Sequence, residues 1–579
     1  MNLKKVLFSA LMLTATGAAV AVTEPENNVL MGGVISGRVV DAEHQALPGA
    51  TIMVEDLHTG VTSDVNGFYT LPNMKPGTYK VKVSYVGYSP KTYVIKLVGK
   101  NVERNIILSE GNELKEVVVN GAFYGQRKAL QMQKENMGVT NVVSADQVGK
   151  FPDSNIGDAL KRINGINVQY DQGEARFGQV RGTSADLTSV TVNGNRMPSA
   201  EGDTRNVQLD LIPADMIQTI EVNKVVTSDM DGDAIGGEIN LVTKNTPSHQ
   251  VLNFNVGSGY TWISGKPQWD LAATWGNRFF QNRLGIMASA SYQYAPGGSD
   301  NTEFEYEEND DKEIELKEAQ VRQYYVTRER QSYSLALDYK FNPLHKISFK
   351  GIYNRRSDWE NRYRISYKKL NSKASKQSVV LQTKAGSSDQ KNARLELQQT
   401  MDYTLDGEHQ LGNLKMDWAA SYSRATEERP NERYASYKYK YGKSETEFID
   451  FGDGFQDVGD KQPYYAKSLP SLDDSHWVLD ELNNSNQDIV ENEWKGRLNF
   501  TLPLCKGLYG NTLKFGAKYT SKNKKRTTSF FDYDPEEVLG DDWRSNTSLQ
   551  IRDGFMPGSQ YPANSPFISI STLGKIDFS

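Results

Sequence analysis

Residues 180–196 read VRGTSADLTSVTVNGNR, and residues 236–244 read GGEINLVTK. In the first stretch apolar and polar residues alternate from Leu187 up to Asn193-Gly194, a pair typical of a two-residue turn between antiparallel strands. In the second stretch two glycines end a loop before an alternating run, which predicts another strand. Together they predict the strands of a small domain, which we expect to extend over residues 150–244.

A helix is predicted ahead of these strands, between residues 152 and 166. Asp153 or Ser154 stands at its capping position, and Gly165 suits the position after its last turn. Its buried face is formed by apolar residues at helical spacing, namely Ile156, Leu160 and Ile163. A second short helix at 211–217 and a strand at 220–222 follow, so this domain is predicted to be α/β.

The order of these motifs resembles the plug domain of TonB-dependent outer-membrane receptors, and most closely a subgroup described in Caulobacter and Xanthomonas relatives. The residues that carry the plug motif are Arg181, Gly182, Asn193, Gly194, Gly236 and Gly237. The resemblance implies a receptor that imports its ligand through a β-barrel closed by the plug. It also implies that Arg181 is buried between plug and barrel beside carboxylates, with binding of an anionic ligand as the alternative.

Three aspartates in the plug region have the alternate spacing with which a calcium loop begins: Asp229, Asp231 and Asp233. Ala234 and Asn240 stand where an EF-hand needs its glycine and its bidentate glutamate. We therefore expect an ordinary plug loop and no metal site, with calcium binding as the alternative.

The N-terminus has the pattern of a secretory signal peptide over residues 1–21. Lys4 and Lys5 precede a short apolar core, and small residues predict cleavage after Ala21. The alternative, a transmembrane anchor, needs a longer apolar run than this one.

Residues 34–109 contain about seven short strand-like runs separated by turns, which predicts a β-sandwich. The pattern that includes Asp64, Gly67 and Tyr69 resembles the carboxypeptidase regulatory-like domain, an immunoglobulin-like sandwich without catalytic residues. Asp64 and Asn66 are expected to form a turn rather than bind a metal ion.

Residues 110–149 link the sandwich to the plug region. Within them Glu116, Val117, Val118 and Val119 form a short β-prone run with polar flanks. The resemblance implies that this run is a TonB box, which has to stay accessible so that TonB can pair with it as an added strand. We expect coupling here to TonB and its inner-membrane energising complex, with a plain linker strand as the alternative.

From about residue 250 to residue 579 the chain shows alternating segments of about ten residues, the pattern of a transmembrane antiparallel β-barrel. We predict about ten strands with short turns on one side and long outer loops on the other. The predicted outer loops are the polar stretches 295–330, 356–390, 425–492 and 522–565. Because the family closes barrels of about 22 strands, we expect an incomplete barrel and a C-terminally truncated sequence.

The polar stretch 425–492 is the candidate ligand site. Its aromatic side chains are of a kind that stacks on sugar faces, with loop packing as the alternative; the candidates are Tyr437, Tyr439, Tyr441 and Trp477. With the subgroup resemblance they favour an oligosaccharide. Siderophore or cobalamin transport and a surface receptor that signals to an anti-sigma factor are the alternatives.

The composition excludes other classes of function. A net charge of −6 argues against a nucleic-acid partner, and the single Cys505 excludes an intramolecular disulfide. No catalytic or phosphate-binding motif is apparent, so we expect neither an enzyme nor a cofactor. We expect the outer membrane of a Gram-negative bacterium, with the sandwich and TonB box in the periplasm, lipid around the barrel, and a surface lipoprotein as a further candidate partner.

Overall fold

The computed structural model describes residues 33–42, 46–57, 59–64, 66–85, 88–98, 101–109, 129–130, 132–134, 136, 138–144, 155–228, 230–247, 250–372, 376–440, 469–504, 512–549 and 566–578. The expected signal peptide, the TonB-box residues 116–119 and the predicted caps Asp153 and Ser154 lie outside this part of the chain. Among the described helices, none is long and apolar enough to cross a membrane.

The N-terminal domain is a β-sandwich, as predicted. Its strands are β1 (Gly33–Val40), β2 (Thr51–Val54), β3 (Thr59–Thr62), β4 (Phe68–Met74), β5 (Gly77–Ser84), β6 (Lys91–Leu97), β7 (Val102–Glu103) and β8 (Ile106–Ile107). One sheet has the order β4-β1-β7 with β8 also paired to β1, and the other has the order β3-β2-β5-β6. Ile35, Ile52 and Val81 are buried in the core between them. Asp64 Oδ1 accepts hydrogen bonds from the backbone N–H groups of Asn66 and Phe68, both at 2.8 Å, as expected of a turn residue.

The plug domain follows. Its elements are β9 (Thr140–Ser144), α1 (Ile156–Leu160), β10 (Ile166–Asp171), β11 (Glu174–Val180), β12 (Thr188–Val192), β13 (Asn195–Arg196), β14 (Ile217–Asn223) and β15 (Gly237–Thr243). Five strands form a sheet of order β13-β12-β15-β14-β9, and β10 pairs with β11 in a separate hairpin. Apolar residues of α1 and of the sheet share one hydrophobic core.

The predicted helices of the plug are longer than the observed ones. Helix α1 has only five residues, and its N-cap is Asn155, whose side chain accepts from the backbone N–H of Asp158 at 3.0 Å. The helix expected at 211–217 is replaced by two 3₁₀ turns, Leu209–Leu211 and Ala214–Met216. Pro213, which has no backbone N–H to donate, stands between them.

A ten-stranded antiparallel sheet forms the barrel portion in the described residues, which confirms the predicted number of strands. The strands are β16 (Val251–Thr261), β17 (Lys266–Phe279), β18 (Leu284–Glu308), β19 (Ile314–Asn342), β20 (His345–Lys368), β21 (Ser378–Ala385), β22 (Arg394–Leu411), β23 (Leu414–Lys440), β24 (Trp477–Pro503) and β25 (Thr512–Asp532). Strand order follows the chain, except that β21 and β22 each pair with both β20 and β23. Strands β21 and β22 lie end to end along β20, which pairs with β22 through His345–Glu360 and with β21 through Arg362–Lys368.

The long polar stretches are strands and not loops, which corrects the prediction for most of their length. β18 and β19 cover most of 295–330, and β20 and β21 extend through much of 356–390. β23 and β24 likewise cover the described ends of 425–492, and β25 continues to Asp532. The strands continue because their polar residues pack against the plug or against each other, so the hydrogen-bonded ladder extends beyond the segments in which apolar and polar residues alternate.

A small group of elements, the outer cluster, packs against the ends of these strands farthest from the short turns. It contains α2 (Pro535–Leu539), β26 (Thr547–Leu549), β27 (Pro566–Ile568) and α3 (Ile570–Lys575). Trp543, Phe567 and Leu573 are buried there against residues of β20, β21 and β23.

Candidate functional site

The tip of the β10–β11 hairpin reaches the inner wall of the barrel sheet. Gln172 and Gly173 form its two-residue turn, with φ of 48° and 83°. Beside this tip lies a cavity of about 150 Å³. Its lining is almost entirely polar and comes from the plug and from five barrel strands: Asp171, Gln172, Arg176, Tyr324, Arg328, Asp358, Glu360, Lys384, Arg394, Glu396 and Arg429.

Plug carboxylates pair with buried barrel arginines directly beside the cavity. Arg356 binds Asp210 of the plug and, at 2.7 Å, Glu396 of the barrel. Glu174 of the plug binds Arg330 and, at 3.0 Å, Arg328. Because a buried charge is costly unless it is paired, these contacts hold plug and barrel in one register.

The cavity cations are paired as well. Arg328 Nε lies 2.8 Å from Asp358. The remaining pairs are Lys384 with Glu360 at 2.8 Å, Arg394 with Glu396, Arg429 with Glu427 at 2.8 Å, and Arg176 with Glu201 at 2.7 Å. The lining is therefore rich in hydrogen-bonding groups but carries little uncompensated charge.

The electrostatics of Glu174 show how strongly this arrangement favours ionised groups. Burial by itself raises the pKa of the Glu174 carboxyl, but the charges of Arg330 and Arg328 outweigh burial and lower the pKa to about 2. Glu174 is thus a carboxylate at every physiological pH, and its contacts with barrel arginines persist.

Arg181 does not occupy the position that the resemblance implied. It is exposed, and its guanidinium donates to the backbone carbonyls of Gly236, at 3.1 and 3.2 Å, and Ile235, at 3.4 Å. It makes no ion pair with a carboxylate in the described residues. The expectation of a buried Arg181–carboxylate pair was wrong, because Arg181 (φ 56°) and Gly182 (φ 72°) turn the chain away from the sheet.

The other plug-motif residues shape the backbone. Asn193 (φ 52°) and Gly194 (φ 78°) form the predicted turn, and Gly194 N–H donates to Asn240 Oδ1 at 2.9 Å. A Cβ on Gly236 would lie 2.2 Å from Thr183 Oγ1, and Gly237 adopts φ 142°, so both positions favour glycine. A ligand contact by any of these residues stays a prediction.

The aspartate loop is neutralised by basic side chains. Asp231 lies 2.6 Å from Lys518 and 3.6 Å from Lys495, and Asp233 binds Arg196 and Arg205. Although burial raises the pKa of Asp231, the hydrogen bond from Lys518 and the lysine charges lower it overall. Asp229 lies outside the described residues, and within them no three metal-ligating side chains converge.

The candidate ligand-binding aromatics are buried and do not form an exposed platform. Tyr437, Tyr439 and Trp477 are 1%, 5% and 3% exposed. The Trp477 ring centroid lies 5.2 Å from that of Tyr437 and 5.1 Å from that of Tyr439. Tyr441 lies outside the described residues. Contact of these rings with a ligand stays a prediction.

Tyr437 and Tyr439 also lie on the face of β23 that is turned away from the cavity. Arg433 donates to the carbonyl of Leu573 in the outer cluster, whereas its neighbour Glu432 lies 3.3 Å from the cavity residue Lys384. Side chains alternate between the two faces of a strand, so Tyr437 and Tyr439 share the outer face with Arg433.

The charged cavity residues were not predicted from the sequence. Their signal was present, because charged residues recur at every second position in Arg328-x-Arg330 and in Arg356-x-Asp358-x-Glu360. The polarity of these stretches favoured loops, and only strand alternation places such residues on one face.

A second polar group lies within the plug sheet. Asn240 Nδ2 donates to Glu221 at 2.9 Å, and Asn223 Nδ2 donates to Glu238 at 2.9 Å. Burial raises the pKa of the Glu221 carboxyl, more than the hydrogen bond from Asn240 lowers it.

Glu221→Gln is therefore expected to stabilise the plug at pH 8 and to change little at pH 4. The contribution of a carboxyl whose folded-state pKa is raised is present below its ordinary pKa and is lost as the pH rises through the folded value. Glutamine keeps an acceptor for Asn240 and cannot ionise. Urea unfolding at both pH values measures this, and an equal effect at the two pH values would contradict it.

Comparison with known proteins assigns two of the domains. The family model described as TonB-dependent Receptor Plug Domain matches residues 133–238, and that of the CarboxypepD_reg-like domain matches residues 35–119. TonB-dependent receptor P26 of Formosa agariphila is 32% identical over 201 residues, which cover 34% of this chain and 19% of that protein.

Two solved structures are also similar over much of the chain. Unliganded ferric citrate transporter FecA is 13% identical with a TM-score of 0.30, covering 71% of this chain and 63% of its own. A mutant of the ferric enterobactin receptor PfeA of Pseudomonas aeruginosa is 12% identical with a TM-score of 0.34, covering 67% of this chain and 62% of its own. The chain thus spans less than two thirds of the length of these relatives.

Proposed function

Because this chain belongs to the TonB-dependent receptors by its plug and carboxypeptidase regulatory-like domains, we propose that it serves TonB-dependent import of an oligosaccharide across the outer membrane. The ligand enters between the barrel wall and the plug tip. TonB, energised by the inner membrane, then pulls on the plug to open a path.

The proposed class of ligand rests on the cavity beside Gln172. Five cations and four carboxylates line it, and the cations already have carboxylate partners. A neutral sugar offers hydroxyl groups that both donate and accept, so it can bind such a lining without disturbing the net charge. An anionic ferric chelate needs cations that are free to meet its charge, since each buried pair that it breaks leaves a carboxylate unpaired.

Calorimetric titration of the purified protein tests the ligand class. We expect oligosaccharides to bind and ferric siderophores or cobalamin to give no heat of binding. As a matched pair, Glu360→Gln is expected to weaken sugar binding, whereas Trp359→Phe, its neighbour on the other face of β20, is expected to leave it unchanged. Binding of a ferric chelate in place of sugars would assign the chain to the alternative class.

Coupling to TonB is assigned to Glu116, Val117, Val118 and Val119, and the sandwich is assigned to the periplasm. The position of the sandwich supports the periplasmic side. Lys340 Nζ lies 3.6 Å from the centroid of the Phe68 ring, and Asn73 donates to Asn413 at 2.9 Å. Both barrel residues belong to the short-turn end of the sheet, which in outer-membrane barrels faces the periplasm.

A further inference from the structure

Gln172, at the tip of the β10–β11 hairpin, is held at both ends of its carboxamide by the barrel. Arg328 Nη2 donates to Gln172 Oε1 at 2.7 Å, and Gln172 Nε2 donates to Glu360 at 2.5 Å. Because a guanidinium can only donate and a carboxylate can only accept, these partners fix which way the amide points. Arg328 and Glu360 thus form a clamp with one donor and one acceptor.

The turn itself does not account for a glutamine at this position. Gln172 has φ 48°, a conformation that asparagine and glycine adopt more readily than glutamine. Asparagine followed by glycine is the preferred pair for such a turn. The longer side chain is therefore explained by its reach to the clamp rather than by the backbone.

The other polar atoms of the clamp have partners of their own. Arg328 uses Nε for Asp358 and Nη1 for Glu174. Glu360 uses its other oxygen for Lys384 at 2.8 Å. Glu174 pairs with a different nitrogen of Arg328, so Arg328 Nη2 and the second oxygen of Glu360 are the clamp atoms that Gln172 itself satisfies.

Displacement of the Gln172 side chain leaves these two atoms facing the cavity. Arg328 is 6% exposed and Glu360 is 2% exposed, and both line the cavity. Arg394 Nη1 lies 3.8 Å from the freed Glu360 oxygen, which is too far for a hydrogen bond. A buried donor and a buried acceptor without such bonds are unfavourable until another group replaces the amide.

We propose that Arg328 and Glu360 form a ligand subsite that Gln172 fills as a placeholder, and that the group replacing it is the acetamido group of an N-acetylated sugar. A secondary amide repeats the chemistry of the carboxamide, with an oxygen for Arg328 and an N–H for Glu360. This inference rests on the proposed function, and it narrows the ligand to oligosaccharides that contain amino sugars.

Displacement of Gln172 also provides a signal of occupancy. The displaced residue lies on β10–β11, whose other end carries Arg181 bonded to the carbonyl of Gly236. A ligand that takes the clamp removes the contact of the hairpin tip with the barrel wall, while Glu174 keeps its pairs with Arg328 and Arg330. The freed tip of the hairpin is therefore the signal of occupancy.

The test compares two β-1,4-linked disaccharides, N,N′-diacetylchitobiose and cellobiose, which differ in acetamido against hydroxyl groups. Calorimetry is done with the unaltered protein and with Gln172→Asn, which keeps the turn but is one methylene too short for the clamp. Gln172→Gly serves as a second variant, and trialanine supplies an amide without a sugar. Unchanged heat-modifiability on gels shows that each variant is folded.

The unaltered protein is expected to prefer diacetylchitobiose, and Gln172→Asn is expected to bind it about tenfold more tightly with cellobiose unchanged, because one hydrogen-bonded competitor is removed. Equal binding of both disaccharides, or no gain in either variant, would overturn the inference while leaving sugar import standing. A gain for trialanine instead would overturn the assignment to a sugar. Binding of ferric chelates alone would overturn the proposed function itself.

Discussion

Val117→Pro is expected to abolish ligand uptake while ligand binding remains at the level of the unaltered protein. Pairing with TonB by strand addition needs backbone N–H groups, and proline removes one and prevents a continuous ladder. The loss should be complete, because under the proposed function the energy for import reaches the plug only through TonB. Uptake of labelled oligosaccharide by cells, together with calorimetry on the purified protein, measures the two properties separately.

Val117→Thr is the matched control, since threonine has a high strand propensity and keeps its N–H group. Deletion of residues 115–119 should reproduce the proline effect. If cells with the deletion take up ligand normally, residues 116–119 are a plain linker strand and the TonB contact lies elsewhere. If binding is lost as well, the segment acts on the fold and not on coupling.

Arg356→Ala is expected to weaken the hold of the barrel on the plug by roughly 3–5 kcal/mol. Arg356 is 1% exposed and pairs with Asp210 of the plug and Glu396 of β22. Its removal leaves two buried carboxylates without that partner. The measurement is the urea concentration at which a cysteine placed at the buried position Ala159 becomes reactive to a maleimide, after the only native cysteine, Cys505, is changed to serine.

Arg355→Ala is the control from the neighbouring position. Arg355 is exposed because it lies on the opposite face of β20. It has the same charge as Arg356 and lies beside it in the same strand, but it does not have the ion-pair partners of Arg356. Equal urea midpoints for the two variants would mean that the buried ion pairs do not hold the plug. In that case apolar contacts, such as that of Ile352 of β20 with the plug core, would be the main attachment.

The sandwich and the plug could be predicted from local signals, because their motifs depend on neighbours in the chain. Asn193-Gly194 formed the turn that its residue types require, and alternating runs became strands. The helix caps and lengths were less accurate, since Asn155 and the two 3₁₀ turns depend on packing within the plug core. The number of barrel strands also followed from alternation, but their lengths did not.

By itself the sequence indicated the sandwich, the plug domain and the β architecture, since periodicity and turn chemistry depend on consecutive residues. Only the tertiary structure decided which charged and polar residues meet. Glu174, Asp210 and Gln172 of the plug are far along the chain from Arg328, Arg356 and Glu360 of the barrel, and a buried charge looks like a solvated one until its partner is known. The same holds for Tyr437 and Trp477, whose rings were compatible with an exposed sugar platform until the strand register turned them to the outer face.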